Sequence, residues 1–599
     1  MRIISKYFNS KDDYINLALV CKKFNVIDYY TYNPIDDISI FKNMKHLHIY
    51  KNDSSENLSI NKIDKIVDWR PIKYSDIKYK FIDYKHIILD ELIYPIPSNV
   101  REIGEDCFRN AGIGDIIIPD SITKLGVESF YRCNNVKLNN ILREIPRRCF
   151  QYAHFSYIDL KNVIRIDTNG FDGSWIKEID LSKIQKLGGS AFCSCFKLTS
   201  ITFSDSIEKI KSWTFAACIN LNNVDLSKCT KLKELGKYCF ESCRQISSVK
   251  LPLTITRLKE SCFEKCYNLQ EINLENLKWL GERSFCKCTK LKELYLNVYQ
   301  VPYRCFDECF SLEQVNFTSR LNELSSNAFR DCSNLTSISI LNNCNQNINK
   351  RISICRECFH GCIKLTNMLN NIKYLGHDSY YECKLNEIDL TNIPIIWNNV
   401  FYKCTNLTRI ILSTKIKSLN EECFDNCSNL SEIKIPSNIT RIHDSCFYNC
   451  RNLREIDLSY VRKLGESVFY NCKNLTNIIL SDTIKELKTG TFAGCINLTK
   501  IDLKNIKILG HSCFWRCSKL KEINLDNVKY ISHCCFCDCS SLETIKLNES
   551  IKKISVECFE NCVNLKSINL ENIQEFGDYC FHRCKYLDVD FIKNDKNDN

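Results

Sequence analysis

A single motif recurs along most of this chain at an almost constant interval. It reads C-F-x-x-C-x-N-L-x-x-I-x-L, and its central aromatic residue, here called the anchor, occurs 22 times. Twenty of the 21 intervals between successive anchors are 20 to 25 residues long, and the exception is the 30-residue step from Phe329 to Phe359. A fixed period of this length indicates a solenoid rather than the roughly four globular domains that a length of 599 residues would suggest. The anchors are Phe108, Phe130, Phe150, Phe171, Phe192, Phe215, Phe240, Phe263, Phe285, Phe306, Phe329, Phe359, Tyr380, Phe401, Phe424, Phe447, Phe469, Phe492, Phe514, Phe536, Phe559 and Phe581.

The two halves of each repeat carry different periodicities. The tail alternates apolar and polar residues, as at Ile456 and Leu458, which predicts a short strand with one buried face. In the front half, a cysteine, the anchor and a second cysteine stand one and three residues apart, which indicates a short helical turn that faces inward. We therefore predict an α/β solenoid with the leucine-rich repeat plan. It would have about 22 coils of 20–25 residues, parallel strands on one face and short helical or 3-10 turns inside each coil.

The ends of the chain and the long interval depart from this pattern. Residues 1–95 lack the motif, and we predict a helical N-terminal cap there, because terminal repeats must close the core. The solenoid is expected over residues 96–591, followed by a polar tail at 592–599. The long interval contains a polar, Asn-rich insertion at 341–352, which predicts a protruding loop.

The motif resembles that of the BspA-like leucine-rich repeat proteins of bacteria and of protists such as amoebae, both in the S-C-F-x-x-C-x-N-L-x-x-I-x-L unit and in linkers such as I-P-S-N-I-T at 435–440. This resemblance implies a curved solenoid that binds proteins or surfaces, and it brings no catalytic residues with it. Residues 3–26 are similar to the second half of an F-box, although the usual leucine-proline opening is missing. That similarity implies an alternative function, a substrate receptor whose N-terminus docks a ubiquitin-ligase adaptor.

The chain contains 39 cysteines. Most of them occupy two positions of the repeat, one directly before the anchor and one three residues after it, and each position forms a column along the solenoid. Three interpretations compete. The thiols could be small buried hydrophobes, they could form disulfides in an oxidising compartment, or they could bind metal. Stacked side chains about 5 Å apart fit disulfide geometry poorly, and no His is interleaved at zinc spacing, so buried thiols are favoured. Cys534 and Cys537 lie outside the columns and are the best candidates for reactive thiols.

Composition and motif searches predict a protein without enzymatic activity. No phosphate-binding loop, metalloprotease motif or nucleophile elbow occurs, and we expect no catalytic residue, cofactor or metal. A net charge of +11 on 70 kDa does not argue for nucleic acid. No apolar run is long enough to span a bilayer, and no secretory signal is recognised, which favours a cytoplasmic protein. Peripheral attachment to the cell surface, by a route without a signal peptide, is the alternative.

A binding function requires an exposed face, and the strand segments provide the best candidate. Their outward positions are mainly acidic, whereas seven residues before the anchor a basic stripe recurs, as at Lys485, Lys507, Lys529 and Lys552. We predict that a protein partner is recognised on the strand face, which we expect to be a continuous ledge. The candidate partner-binding residues are Glu178, Asp180, Asp225, Glu387, Asp389, Glu455, Asp457 and Asp502.

The prediction that the cysteines are reduced can be tested by counting the free thiols. Maleimide labelling of the unfolded but unreduced protein, counted by mass spectrometry, should modify most of the 39 cysteines. Labelling of only a few would show that the columns are oxidised and would place the protein in an oxidising compartment.

Overall fold

The computed structural model describes residues 46–49, 65–68, 82–84, 95–96, 102–112, 114–155, 157–341 and 351–587. The chain divides into two compact units, Met1–Asn273 and Leu274–Asn599. In the first unit, the strands His46–Ile49, Lys65–Asp68 and Ile82–Tyr84 form a three-stranded parallel sheet. The described residues of the predicted helical cap at 1–95 include these three strands and no helix, so the structure does not support a helical cap. The F-box-like segment at 3–26 lies outside the described residues, as do positions 342–350 of the insertion.

Both units consist of parallel-strand coils, about 20 in all, and the strands form two ladders rather than one. The first ladder contains the strands that follow the motif's conserved leucine, as the sequence predicts. The second ladder consists mostly of two-residue strands that begin six residues before the anchor, such as Lys463–Leu464 before Phe469. The prediction of strands on a single face was therefore incomplete, because a strand of two residues is too short to produce a recognisable alternation.

In the first unit, the first ladder comprises Ile116–Ile117, Val136–Lys137, Glu178–Asp180, Ser200–Thr202, Asn223–Asp225, Ser248–Lys250 and Glu271–Ile272. The second ladder comprises Glu144–Ile145, Arg165–Ile166, Lys186–Leu187, Lys209–Ile210 and Glu234–Leu235.

In the second unit, the first ladder comprises Glu293–Leu296, Gln314–Thr318, Ser337–Leu341, Glu387–Asp389, Arg409–Ile411, Glu432–Ile433, Glu455–Leu458, Asn477–Leu480, Glu522–Leu525, Thr544–Leu547 and Ser567–Ile568. The second ladder comprises Gln300–Val301, Glu323–Leu324, Ile352–Ile354, Ile372–Leu375, Ser418–Leu419, Arg441–Ile442, Lys463–Leu464, Glu486–Leu487, Ile508–Leu509, Tyr530–Ile531, Lys553–Ile554 and Glu575–Phe576.

The segment around each anchor is a series of tight turns, so the predicted helical or 3-10 turns are wrong. Each of the 22 anchors has a residue with positive φ two positions before it and another two positions after it, as at Ser445 and Asn449 around Phe447. Bonds from residue i+3 to residue i do occur, for example from the Cys450 N–H to the Phe447 carbonyl at 3.2 Å. The left-handed residues nevertheless prevent a right-handed helix, and no helix forms in the part of the chain that the structure describes.

The same segment links neighbouring coils through a third set of backbone hydrogen bonds, which we call the turn ladder. The N–H groups of Ser445, Phe447 and Asn449 donate to the carbonyls of Glu466, Val468 and Tyr470 in the next coil, at 2.8, 3.0 and 2.7 Å. This pattern recurs at positions −2, 0 and +2 relative to most anchors. It satisfies the buried backbone of the turn segment, as a buried polar group requires.

The core of each unit contains one continuous stack of anchor rings. Successive centroids lie 5.0 Å apart at Phe108 and Phe130 and up to 6.0 Å apart at Tyr380 and Phe401, within the range of favourable offset stacking. One stack extends from Phe108 to Phe263 and the other from Phe285 to Phe581. All anchors are buried.

The cysteine column after the anchor is buried, as predicted, and it also has a bonding role that the sequence did not reveal. Within each unit these thiols point at the anchor carbonyl of the preceding coil, as Cys450 does at Phe424 and Cys472 does at Phe447, with Sγ–O distances of 3.2 Å. No disulfide joins the cysteines that the structure describes. The Sγ atoms of Cys423 and Cys446 approach to 3.5 Å, far beyond the bond length of about 2.05 Å.

Removal of one anchor ring should destabilise the adjacent coils first, because each coil packs only against its neighbours. Phe447→Ala should lower the free energy of unfolding by about 3–5 kcal/mol, because a fully buried ring leaves a cavity between two rigid neighbours. Hydrogen exchange followed by mass spectrometry should show the loss of protection first between residues 424 and 492. Uniform loss across the second unit would contradict this repeat register.

Candidate functional site

The predicted partner-binding residues all lie exposed on or beside the first ladder, but they do not form one cluster. Glu178, Asp180 and Asp225 belong to the first unit, and the other five belong to the second. Asp502 is exposed in a coil that forms no first-ladder strand. The structure brings Glu387 and Asp389 together on one strand and Glu455 and Asp457 on another.

The aspartates among them also close the turn that follows the strand. The backbone N–H two residues further on donates to the carboxylate of Asp389 at 2.9 Å and to that of Asp457 at 2.9 Å, and Asp180, Asp225 and Asp502 make the same bond. Such Asx turns explain why aspartate recurs at this position without any partner. Glu387 and Glu455 make no such bond and are the more informative positions for binding.

The first ladder is not the continuous ledge that was predicted. No first-ladder strand forms at residues 157–160, 366–371 or 499–503, all of which the structure describes. The second of these gaps belongs to the coil of Phe359, directly after the insertion. There Thr366 donates to Thr336 at 3.5 Å, whereas the equivalent bond from Thr408 to Asn386 measures 2.9 Å. The backbone of this coil has therefore moved away from ladder geometry.

The second ladder is irregular in the same coil. Ile352 pairs with Ile372 and Ser353 with Tyr374, so Lys373 has no counterpart and forms a bulge. Asn371, directly before this strand, has a φ of 59°, a conformation that asparagine tolerates better than most residues. Both ladders thus deviate where the repeat length deviates.

This irregularity opens a cleft of about 670 Å³ beside the first ladder, within the second unit. A smaller cleft of about 410 Å³ lies on the other side of segment 366–371, against Ile338, Ser339 and Ile340. The sizes fall in the range of ordinary binding clefts. The larger cleft is lined by Thr366, Asn367, Met368, Leu369, Asn370, Asn371, Ile372, Asn386, Glu387, Ile388, Asp389, Thr391, Asn392, Ile393, Arg409 and Ile411.

The lining combines side-chain amides with charges of both signs. Glu387 pairs in register with Arg409, which in turn pairs with Glu432, so the acidic column is interrupted by one cation. The Asn367 amide donates to the Ile338 carbonyl at 3.4 Å, in place of a backbone bond between coils. The cleft therefore offers donors and acceptors together, with two carboxylates and one guanidinium at its wall. The sequence contained one signal for it, the single 30-residue interval.

A tyrosine replaces phenylalanine as the anchor of the next coil. Tyr380 is fully buried, and its hydroxyl faces the backbone of Leu369 without reaching hydrogen-bond geometry. Burial raises the pKa of Tyr380 well above its ordinary value. An unpaired buried hydroxyl is destabilising, and it lies under the irregular coil.

The basic stripe lies directly before the second-ladder strands, and two further clefts with basic residues in their lining lie along this ladder. One, in the first unit, has a volume of about 640 Å³ and includes Arg165, Lys186 and Lys209. The other, in the second unit, has a volume of about 460 Å³ and includes Arg462 and Lys485. The two ladders thus present surfaces of opposite charge bias.

The structure does not support the idea that Cys534 and Cys537 are reactive thiols. Cys534 is half-buried and Cys537 is buried. Burial, reinforced by nearby acidic groups such as Glu557 and Glu560, raises the pKa of Cys534 to about 11 and that of Cys537 to about 12. A raised pKa leaves little thiolate at neutral pH, and thiolate is the reactive form.

The described ranges contain neither a cluster of potential metal ligands nor a membrane-spanning helix. No three His, Cys, Asp or Glu side chains there are grouped closely enough to hold a metal ion. The same ranges contain no helix with the length and hydropathy of a membrane span.

Comparison with known proteins identifies relatives of the repeat. The family model described as "BspA type Leucine rich repeat region (6 copies)" matches residues 93–195, 185–298, 275–352, 352–476 and 462–588. No curated protein matches the chain.

Three solved structures illustrate the likeness to bacterial repeat proteins. A leucine-rich repeat protein from Bacteroides ovatus is 19% identical over 74% of this chain and 92% of its own, with a TM-score of 0.30. One from T. pallidum is 25% identical over 33% of this chain and 83% of its own, with a TM-score of 0.25. A leucine rich cell surface protein from Faecalibacterium prausnitzii is 18% identical over 82% of this chain and 85% of its own, with a TM-score of 0.20.

The buried hydroxyl under the cleft gives a test of this region. Tyr380→Phe should raise the free energy of unfolding by about 1 kcal/mol, because it removes an unpaired buried polar group and keeps the ring stack. Urea unfolding monitored by circular dichroism would measure the change. A loss of stability of similar size would mean that the hydroxyl bonds to Leu369 and holds the irregular coil in place.

Proposed function

Because the chain belongs to the BspA-type leucine-rich repeat family, we propose that it is a non-enzymatic scaffold that binds a protein partner on its first-ladder face. The cleft in the coil of Phe359 is the proposed centre of that site. The observation that carries the proposal is the combination of an opened ladder with Glu387, Asp389 and Arg409 at the wall of one cleft.

The chemistry of the cleft suits a polypeptide segment. Side-chain amides such as those of Asn386 and Asn392 can donate and accept hydrogen bonds, as the backbone of an extended peptide requires. The strands Ser337–Leu341 and Glu387–Asp389 belong to separate sheets on either side of the gap. An extended peptide can bind to strand edges of this kind through its main chain.

The charges around the cleft favour a basic segment. Glu387 and Asp389 line it, and Glu455 and Asp457 extend the acidic surface along the ladder. Exposed charges of this kind mainly steer association, so binding should weaken as salt shortens the Debye length to below about 10 Å.

Charge reversal tests the choice of face. Glu387→Lys with Glu455→Lys should reduce capture of the native partner at least tenfold, because both side chains are exposed and neither closes a turn. The matched control, Lys485→Glu with Lys552→Glu, reverses the same number of charges on the basic stripe and changes the net charge by the same amount in the opposite direction. Capture would be measured by quantitative mass spectrometry with the full chain as bait. Loss with the control alone would assign binding to the second-ladder side.

Two further pairs of variants separate the cleft from the general acidic surface. Asp389→Asn with Asp457→Asn removes charge but keeps the turn-closing oxygen, so it should weaken capture without a loss of stability. Asn370→Trp should obstruct the cleft, whereas Asn406→Trp places the same bulk on an exposed position outside it. If both tryptophan variants capture the partner normally, the cleft is not the centre of the site.

A further inference from the structure

The residue that directly follows each anchor forms a column on the turn side of the coils, which we call the turn column. In the second unit it contains a run of half-buried aromatic rings from His360 to Tyr470. His360 stacks on Tyr381 at 4.3 Å between centroids, and Tyr381 stacks on Tyr402 at 4.5 Å. Tyr448 stacks on Tyr470 at 4.7 Å, with an angle of 2° between the rings.

Asp425 interrupts this run between Tyr402 and Tyr448. The residue is 6% exposed, and one carboxylate oxygen accepts a hydrogen bond from the Asn426 amide at 2.8 Å. Lys403 of the preceding coil, whose ammonium lies 5.3 Å from the ring centroid of Tyr402, bonds to Glu382 at 2.8 Å and not to Asp425. None of the ion pairs found among the described residues includes Asp425. A recessed carboxylate therefore stands between two aromatic rings without a cationic partner.

The spacing of the coils leaves room beyond this carboxylate for one planar group. The anchors beneath Tyr402, Asp425 and Tyr448 are separated by 5.7 and 5.6 Å, so the two tyrosines are two coil steps apart. An aspartate side chain is shorter than a tyrosine and does not extend between the outer parts of the rings. A cation inserted midway would lie within the distance of about 6 Å from both ring centroids at which cations and aromatic faces attract.

The turn column already holds guanidinium groups elsewhere in the chain. Arg109, which occupies the column position after Phe108, lies 4.4 Å from the ring centroid of Tyr131 in the next coil. Arg516 lies 4.2 Å from the ring centroid of Trp515, another residue of the column. The spacing of the coils therefore accommodates a guanidinium against a ring of this column.

We propose that the slot formed by Tyr402, Asp425 and Tyr448 binds the side chain of an arginine presented by another polypeptide. The guanidinium would lie between the two rings and donate hydrogen bonds to the free oxygen of the Asp425 carboxylate. A guanidinium is planar, stacks on aromatic faces and is weakly hydrated, and its fork of N–H groups suits a carboxylate, whereas the ammonium of lysine is a compact, strongly hydrated charge. This site is on the turn side of the coil and is independent of the cleft on the first ladder.

The protonation of Asp425 gives this site a pH dependence. Burial, and then repulsion from Glu422 of the same coil, raise the pKa of Asp425 to about 7. The other groups that face it are Lys403 and Tyr402 of the preceding coil and Tyr448 of the following one. Arginine binds only the ionised carboxylate, so affinity should fall about tenfold between pH 8 and pH 6.

The test uses the full chain labelled with 3-fluorotyrosine and observed by fluorine NMR. Tyr402→Phe and Tyr448→Phe assign the two wall resonances. The probe is N-acetylarginine methylamide, compared with the citrulline and lysine analogues. The arginine probe should shift both resonances saturably, and the citrulline probe, which is planar but uncharged, should bind at least tenfold more weakly.

Variants of two buried aspartates complete the test. Asp425→Asn keeps the oxygen bonded to Asn426 and should abolish the saturable shift, with the fold checked by circular dichroism. Asp172→Asn is the matched control, because Asp172 is a buried carboxylate at the same column position that hydrogen-bonds Gln151 and Asn169. Tyr448→Leu should weaken binding severalfold while the Tyr402 resonance still reports it. Equal binding of arginine and citrulline, persistence in Asp425→Asn, or no saturable shift would overturn the proposal.

Discussion

The backbone of the turn segment connects each coil to the next, and this connection depends on residues held at positive φ. Left-handed residues at positions −2 and +2 direct three N–H groups toward the next coil, as at Ser445, Phe447 and Asn449. A non-glycine residue in this conformation costs about 1–2 kcal/mol, which the hydrogen bonds must offset. The anchor lies between the two residues, so within each unit its ring is placed over the ring of the preceding coil. The aromatic stack and the register of both strand ladders follow from this geometry.

The sequence predicted the period, the parallel strands, the buried columns and the exposure of residues such as Glu387 and Glu455. The second ladder was missed because Lys463–Leu464 and most of its equivalents are two residues long. The turn segment was mistaken for a helix because the C-F-x-x-C spacing imitates helical spacing. One signal was available: within the described part, no residue with positive φ is Val, Ile or Thr. The cleft depends on how one irregular coil packs, which a pattern in the sequence cannot express.

The cysteine column after the anchor combines two properties that no other small residue offers together. An anchor carbonyl such as that of Phe447 accepts the N–H of Cys450 in its own coil and the thiol of Cys472 in the next. Valine or alanine would fill similar space but could not donate, whereas serine would bury a more polar group at greater cost. A disulfide would remove this donor. The column is therefore explained by packing and hydrogen bonding, without a redox function.

In the regular columns of a solenoid, equivalent residues of neighbouring coils form hydrogen bonds or stack with one another. The Asn474 amide donates to Asn452 and the Asn497 amide to Asn474, just as Tyr448 stacks on Tyr470. A residue of the usual type for its column bonds or stacks with the equivalent residues of the two neighbouring coils. Few of its hydrogen-bonding groups or ring faces then remain available to a ligand. Groups available for recognition are therefore expected where a column is broken, as it is in the coil of Phe359 on the strand side and at Asp425 on the turn side. Because the other coils are so similar, a partner can distinguish a particular coil by such a departure.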